Sequence, residues 1–270
     1  MRLKSAKQTQ MDNNRPLILI SNDDGYHYNG IKSLIKVAQR YGDVFVAAPA
    51  EHQSGKSSAI TLDRPVRAHL QEQREGFTAM EISGTPADCV KLAISQLMPD
   101  RRPDLVLAGI NHGYNMGISS LYSGTMACVY EGIMHGVPSV AFSYGLYGRD
   151  TDTDVCIPIV EKVLQRVLRD GLPQDVCLNV NIPPMTDGRQ VKGLKATISD
   201  LGRWVNEWEK RTHPMGGDYY WMTGEYEMLD EHDDRTDMYW LRRGYATVTP
   251  CHIDQTDHDS VDRIARMLEQ

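Results

Sequence analysis

Two adjacent carboxylates, Asp23 and Asp24, stand where an apolar run ends. Leu17-Ile18-Leu19-Ile20 reads as a buried strand, and Asn22-Asp23-Asp24-Gly25 follows it. Side-by-side ionised carboxylates repel unless they share a proton or face a cation, and hard divalent ions such as Mg²⁺ or Mn²⁺ accept such oxygen ligands. Ligands of open parallel sheets bind beyond the carboxyl ends of the strands, so the placement points to metal-dependent chemistry, although the same residue types also build plain surface turns. Three further segments carry suitable groups. Ser54-Gly55, within Glu51–Ser58, offers a hydroxyl and exposed amides. Asn111 offers a neutral amide oxygen after the strand ending at Gly109. Ser123-Gly124-Thr125 opens a helix, where hydroxyls and free N–H groups at the positive dipole end suit a phosphate as well as an ordinary cap.

The elements that must position these groups follow a repeating pattern. Ile31, Leu34, Ile35 and Ala38 fall at helical spacing, and Val44 to Pro49 reads as the next buried strand. Met80-Glu81-Ile82 predicts a short strand leading into Thr85-Pro86-Ala87-Asp88, a helix start with cap, Pro at the first position and an acid three residues on. Val90, Ala93, Ile94 and Leu97 form its apolar face. A strand over Asp104–Gly109, a helix carrying Met126, Val129, Ile133 and Met134, and a strand over Val137–Phe142 come next. A helix over Val155–Leu168 and a strand over Val176–Val180 complete the series. Strands alternating with helices in this way indicate an α/β doubly wound sheet. After Pro184 the pattern changes. Trp204, Trp208, Trp221 and Trp240 gather there with five tyrosines, which predicts β-hairpins and an oligomer contact, with a base-stacking wall as the second reading. Asp230, Glu231, Asp233, Asp234 and Asp237 read as a solvated acidic loop, with cation binding as the second reading. Ser260 is expected to cap a closing helix with Val261, Ile264, Ala265 and Leu268 on one face.

Composition narrows the function classes. With 270 residues, 41% of them hydrophobic, the chain can bury a large core. A net charge of -7 without a basic cluster argues against duplex nucleic acid and anionic membranes as partners, and leaves an anionic substrate in need of a local positive group. Residues 1–14 are polar and unlike a secretory signal, and read as a loose tail. Cys89, Cys128, Cys156, Cys177 and Cys251 lack zinc-like spacing and suit buried thiols of a cytoplasmic protein.

Five motifs in order resemble the SurE, or survival protein E, family of nucleotidases: Ile20-Ser21-Asn22-Asp23-Asp24-Gly25; Ser54-Gly55; Gly84-Thr85-Pro86-Ala87-Asp88; Gly109-Ile110-Asn111-His112-Gly113-Tyr114-Asn115-Met116-Gly117; and Tyr122-Ser123-Gly124-Thr125. Similarity continues through Leu178–Pro183 and Gly244–Pro250. The resemblance implies a Rossmann-like three-layer α/β/α core over 15–184 and an aromatic, hairpin-rich extension over 185–258 exchanged between subunits of a homodimer or homotetramer, with a closing helix over 259–270. It implies a phosphomonoester hydrolase acting on nucleoside 5'- and 3'-monophosphates, with possible trimming of polyphosphate. One divalent ion per subunit, Mg²⁺ or Mn²⁺, would rest on Asp23, Asp24, Ser54 and Asn111, with Asp23 and Asp24 also catalytic through a metal-activated water. Asn115, Ser123, Gly124 and Thr125 would bind phosphate. Asn29 stands where the family often has a small residue, and Ala246-Thr247 also departs from its pattern; neither falls on an implied ligand.

Two other readings stay open at this stage. A non-catalytic nucleotide-binding module would use the same loops, but the Gly-x-Gly-x-x-Gly of a dinucleotide site is absent after the first strand. Asp23 could instead attack phosphorus, although the acids here are adjacent rather than spaced as Asp-x-Asp. A metal-dependent glycosyltransferase would be expected to carry that spaced pair too. His27, His52, His112, His135 and His252 are candidate proton donors, each expected to be a solvated loop side chain.

Overall fold

The computed structural model describes residues 15–186 and 188–269; the tail expected over residues 1–14 lies outside them. The chain begins with β1 (Leu17–Ser21), α1 (Asn29–Ala38), β2 (Asp43–Pro49), β3 (Ala68–Arg74) and β4 (Phe77–Ile82). It continues through α2 (Pro86–Leu92), β5 (Leu105–His112), α3 (Gly124–Met134), β6 (Ser139–Tyr144), α4 (Ile157–Asp170) and β7 (Cys177–Ile182). The remainder is β8 (Leu194–Ala196), β9 (Arg203–Val205), β10 (Trp208–Thr212), β11 (Asp218–Met222), β12 (Glu225–Glu227), α5 (Asp237–Leu241), β13 (Ala246–Cys251) and α6 (Val261–Leu268). One sheet carries the fold, in the order β3-β4-β2-β1-β5-β6-β7-β13-β8. Its centre, from β4 to β7, is parallel throughout, while β3 and β13 run antiparallel to β4 and β7. The doubly wound expectation thus holds for the centre of a mixed sheet.

Side-chain alternation along the strands divides the core in two. Ile18 and Ile20 of β1 face one layer, where Ile31, Leu34 and Val37 of α1 and Val160, Val163 and Leu164 of α4 cover them. Leu19 faces the other, filled by Val90 and Ala93 of the α2 segment and Met126 and Val129 of α3. The apolar faces read from helical spacing pack in α1 and in most of α3 and α4, but Met134 at the end of α3 is half exposed and the face read for α6, with Val261, Ile264 and Leu268, is exposed; both faces of the sheet centre are covered by helices. In β5 the register against β6 shifts between Ala108 and Asn111. Gly109 permits this with φ 112°, and a Cβ there would lie 2.2 Å from the Phe142 carbonyl. The irregularity sets the direction in which the strand delivers Asn111.

Within 185–258, β8 and β13 join the main sheet, and the antiparallel pairs β10-β11 and β9-β12 lie between them in sequence. The expected hairpin is therefore present. Two local expectations need correction. Ser260 makes no capping bond to the α6 backbone; its hydroxyl donates to Asp257 Oδ2 at 2.5 Å. The acidic stretch is not uniformly solvated, because Asp237 is fully buried. Its carboxylate accepts the N–H groups of Gly117 (2.7 Å), Asp200 (3.0 Å) and Met238 (2.8 Å), which draws α5 under the loop following β5.

The helix start read from Thr85-Pro86-Ala87-Asp88 forms a full capping box. Asp88 also accepts the Thr61 N–H at 3.1 Å and the Thr61 hydroxyl at 2.6 Å. Burial raises its pKa, but the hydrogen bonds from Thr61 and Thr85 outweigh this and hold it below the usual 3.8. A depressed carboxyl pKa contributes stability that is present above pH 3.8 and lost as the pH falls through the folded value. Asp88→Ala is expected to destabilise by about 1–3 kcal/mol at pH 7, read as a lower urea midpoint at constant slope. The difference from wild type should shrink below about pH 4.

Candidate active site

Asp23 and Asp24 leave β1 on a turn closed by Asn22, whose side chain accepts the Gly25 N–H (3.1 Å) and donates to the Gly25 carbonyl (3.0 Å). Both acids are only 3% exposed. Asp23 Oδ1 accepts the Thr125 hydroxyl at 2.5 Å. Asp24 lies 2.9 Å from His112 Nδ1 through Oδ2 and 3.5 Å from His52 Nδ1 through Oδ1. Burial, followed by the charge of Asp24, pushes Asp23 up from 3.8 to about 6, with the Thr125 bond pulling the other way.

The sheet edge brings the sequence-predicted groups together. A cavity of about 420 Å³ is lined by Asp23, Ser54, Asn111, Asn115 and Ser123. Asp24 stands behind it through its bond to His112, which also lines the cavity. The Ser54 loop is tied at both ends: the Gln53 N–H donates to the Asp23 carbonyl at 2.8 Å, and the Ser57 N–H and hydroxyl donate to the carbonyls of Tyr122 (3.1 Å) and Leu121 (2.6 Å). Ser123 caps α3 by accepting the Met126 N–H at 3.1 Å, so its own hydrogen stays available to a ligand. Gly124 makes the approach of α3 to β1 possible, since a Cβ there would fall 2.7 Å from Asp23 Cβ. The Thr125 side chain is fully buried and holds Asp23, which leaves its backbone amide as the group for an anion.

Asn115 is positioned by residues that sequence reasoning gave no role. Its N–H donates to Asn181 Oδ1 (2.8 Å), its carbonyl accepts from Asn179 Nδ2 (2.7 Å), and its Nδ2 donates to Ser143 Oγ (2.8 Å). The available signal was Asn179 and Asn181, two amides at alternate positions of an otherwise apolar strand. Among the candidate proton donors, His112 is not the solvated side chain expected. It is 5% exposed at the side chain, bonded to Asp24 and tilted against Tyr28 at 5.7 Å, because β5 extends to residue 112 and carries it inward. His52 stacks on Tyr28 at 5.9 Å and is half exposed. His27 and His135 are drawn toward Glu81 and Glu131 and, like His252, do not line the cavity.

The donor set fits a hard divalent cation. It comprises two carboxylates, a hydroxyl and an amide, and Asn111 Nδ2 is engaged by the Gly113 carbonyl at 2.9 Å, which leaves Oδ1 as the free ligand atom. No group of three or more His, Cys, Asp or Glu side chains arranged to hold a metal occurs among the described residues, so neutral oxygens would have to complete the set. No Lys or Arg among the described residues lines the cavity. Its far wall is apolar and aromatic, with Tyr114, Tyr147, Met222 and Trp204, the last fixed by an N–H bond to Ser119 Oγ at 3.1 Å.

Residues 18–206 match the family model described as survival protein SurE. The chain is 39% identical over 254 residues to a protein of Phocaeicola vulgatus named 5'-nucleotidase SurE, covering 94% of this chain and 97% of that one. It is 40% identical over 252 residues to the protein of the same name from Cytophaga hutchinsonii, covering 93% and 96%. The crystal structure of the SurE protein from Aquifex aeolicus superposes with a TM-score of 0.78 at 34% identity, over 94% of this chain and all of that one.

The raised pKa of Asp23 carries a sign. A carboxyl that binds its proton more tightly when folded lowers stability as the pH rises from 3.8 through about 6, and the deficit persists above. Asp23→Asn is therefore expected to stabilise the chelator-treated protein at pH 7.5 by about 1–3 kcal/mol in urea unfolding. Equal or lower stability of the variant would show that the carboxylate is already compensated.

Proposed function

The chain belongs to the SurE family, and from that membership and the charge of its cavity we propose that it is a metal-dependent 5'-nucleotidase releasing phosphate from nucleoside monophosphates. The observation that carries the reading is electrostatic. A phosphate monoester dianion would enter a cavity lined by Asp23 and Glu207 and, among the described residues, by no Lys or Arg. Asp23, Asp24, Ser54 and Asn111 would hold one Mg²⁺ or Mn²⁺ there. When bound, the ion supplies Lewis acidity at a phosphoryl oxygen and activates water at neutral pH.

The chain's own groups do the rest. The Ser123 hydroxyl and the amides of Gly124 and Thr125, at the positive end of α3, hold phosphoryl oxygens as charge shifts onto them in the transition state. Asn115 cannot drift, because three bonds from Asn179, Asn181 and Ser143 fix it, and its position turns that rigidity into preorganisation. His112 and His52 orient Asp24. Tyr114, Tyr147 and Trp204 shield the phosphate end from water and offer faces to a base. We extend the reading to 3'-monophosphates and short polyphosphate, which need only the same phosphate cradle.

The extension supports self-association. Trp208, Tyr220, Trp221 and Met222 on the β10-β11 hairpin are 56–70% exposed, and Val261, Ile264, Met267 and Leu268 of α6 are 47–82% exposed. Patches of this kind on one chain fit burial against a second copy, in a homodimer or homotetramer. We place the catalytic core in 15–184, the extension in 185–258 and the closing helix from 259 onward. The five cysteines are free and four of them buried, in keeping with a cytoplasmic setting; no helix among the described residues is long and apolar enough to cross a membrane.

Phosphate release from AMP with Mg²⁺ or Mn²⁺ should vanish with chelator, return on readdition of metal, and fall at least ~100-fold in Asp23→Asn. Gly124→Ala, whose methyl would press on Asp23, should lower kcat/KM by at least ~10-fold. Release that persists with chelator and in Asp23→Asn would end the metal reading; a phospho-aspartate trapped by acid quench would replace water attack with a covalent route. Light scattering should give the mass of two or four chains, and a monomer at micromolar concentration would remove the oligomer proposal.

A further inference from the structure

Tyr114 lines two cavities. One is the acidic site described above; the other, of about 860 Å³, lies among the segment after β7 and the turn after α5. The second is basic. Arg189, Lys192, Arg242 and Arg243 line it, and no Asp or Glu among the described residues does, in a chain with 36 acids against 29 Lys and Arg. Arg242 pairs with Glu231 at 3.0 Å. Among the described residues, Arg189, Lys192 and Arg243 have no carboxylate at ion-pair distance. Like charges gathered around one cavity repel one another unless an anion lies between them.

The walls are also held in place. The Lys192 N–H donates to the Gly244 carbonyl and the Ala246 N–H to the Gly193 carbonyl, each at 2.9 Å, which locks the two basic segments together beside the β8-β13 pairing. Arg243 lies 3.4 Å over the Tyr239 ring and donates to the Tyr239 carbonyl at 2.9 Å, so its guanidinium is already oriented. Pro183-Pro184 stiffens the opposite side. Preformed cations around a cavity of this size suit an anion larger than one phosphate, and Arg groups match phosphoryl oxygens with paired donors.

We propose that this cavity is a second anion site that takes an oligophosphate, free or esterified to a nucleoside, at the same time as the first cavity holds its monophosphate. The site does not depend on the nucleotidase reading. Tyr114 separates the two occupants, so a compound in the basic cavity contacts the wall of the acidic one.

The test is calorimetric titration of inorganic triphosphate, and separately ATP, into full-length Asp23→Asn protein kept catalytically silent, with Mg²⁺ present and AMP at saturating concentration for the first cavity. One triphosphate per chain is expected to bind without releasing AMP. Affinity should fall at least ~10-fold in Lys192→Glu/Arg243→Glu and by less in Lys192→Gln/Arg243→Gln, with AMP affinity and melting temperature unchanged. Equal affinities for triphosphate and ATP would identify the phosphate chain alone as the ligand, and tighter ATP would identify the nucleoside-linked form. One-for-one displacement of AMP, unchanged affinity in both double variants, or no binding at low salt would overturn the site. Failure of AMP itself to bind would count against the nucleotidase reading, while triphosphate titrated alone would still report on the basic cavity.

Discussion

The repulsion between Asp23 and Asp24, both 3% exposed at the end of β1, is the constraint around which the carboxyl edge of the sheet is organised. Two unit charges 4 Å apart at an effective dielectric of 20 interact by about 4 kcal/mol, too much for a marginally stable domain to leave uncompensated. The protein meets it with neutral and ring donors: the Thr125 hydroxyl on Asp23, and the imidazoles of His112 and His52 on Asp24. That arrangement softens the repulsion without cancelling it; burial first, and the remaining charge of Asp24 second, keep Asp23 pushed up to about 6. A Lys or Arg would have cancelled it more fully and would also have occupied the place a divalent cation needs.

Rigidity around the pair comes from elements distant in sequence. Gly124 lets α3 approach until only hydrogen fits against Asp23, and the Asp23 carbonyl anchors the loop that carries Ser54. Asn179 and Asn181, on a strand two places from β5 in the sheet, pin the backbone of Asn115 from beneath. Asp237, some 120 residues along the chain, accepts the Gly117 N–H at the far end of the same loop. The hydrogen bonds that could have served locally are thus spent across the fold, and the loop after β5 can remain irregular yet fixed.

The parallel centre was legible because β1 and β5 are covered on both faces and show as apolar runs, with shorter apolar runs in β2, β6 and β7, and because the covering helices carry one apolar stripe each. β3 was not, since Ala68–Arg74 is an exposed edge whose side chains meet water and need no pattern. That Asp23, Ser54, Asn111 and Ser123 gather at one sheet edge was legible from strand ends and turn chemistry. His112 and Asp237 were misread for one shared reason: each is polar, sits in a polar neighbourhood of the sequence, and is buried only through contacts across the fold, with Asp24 in one case and with Gly117 and Asp200 in the other. Local composition reports solvent preference and says nothing of partners far along the chain. Arg189, Lys192, Arg242 and Arg243 were missed likewise, because they form no run and gather only when β8 and β13 pair.

Charge is therefore segregated rather than averaged. A net -7 surface disfavours anions at long range, but screening limits that field to roughly 8–10 Å at physiological salt, so the local lining decides what enters each cavity. The first cavity, acidic and neutral-polar, offers a phosphate no positive side chain among the described residues, so on the proposed reading a cation would have to accompany it. The basic cavity imposes no such condition. With Tyr114 as a common wall, the two linings select the same chemical group in opposite ways: one where positive charge must be brought in, the other where the chain itself provides it. On the proposed reading, a free anion would favour the basic cavity over a first cavity that lacks its cation.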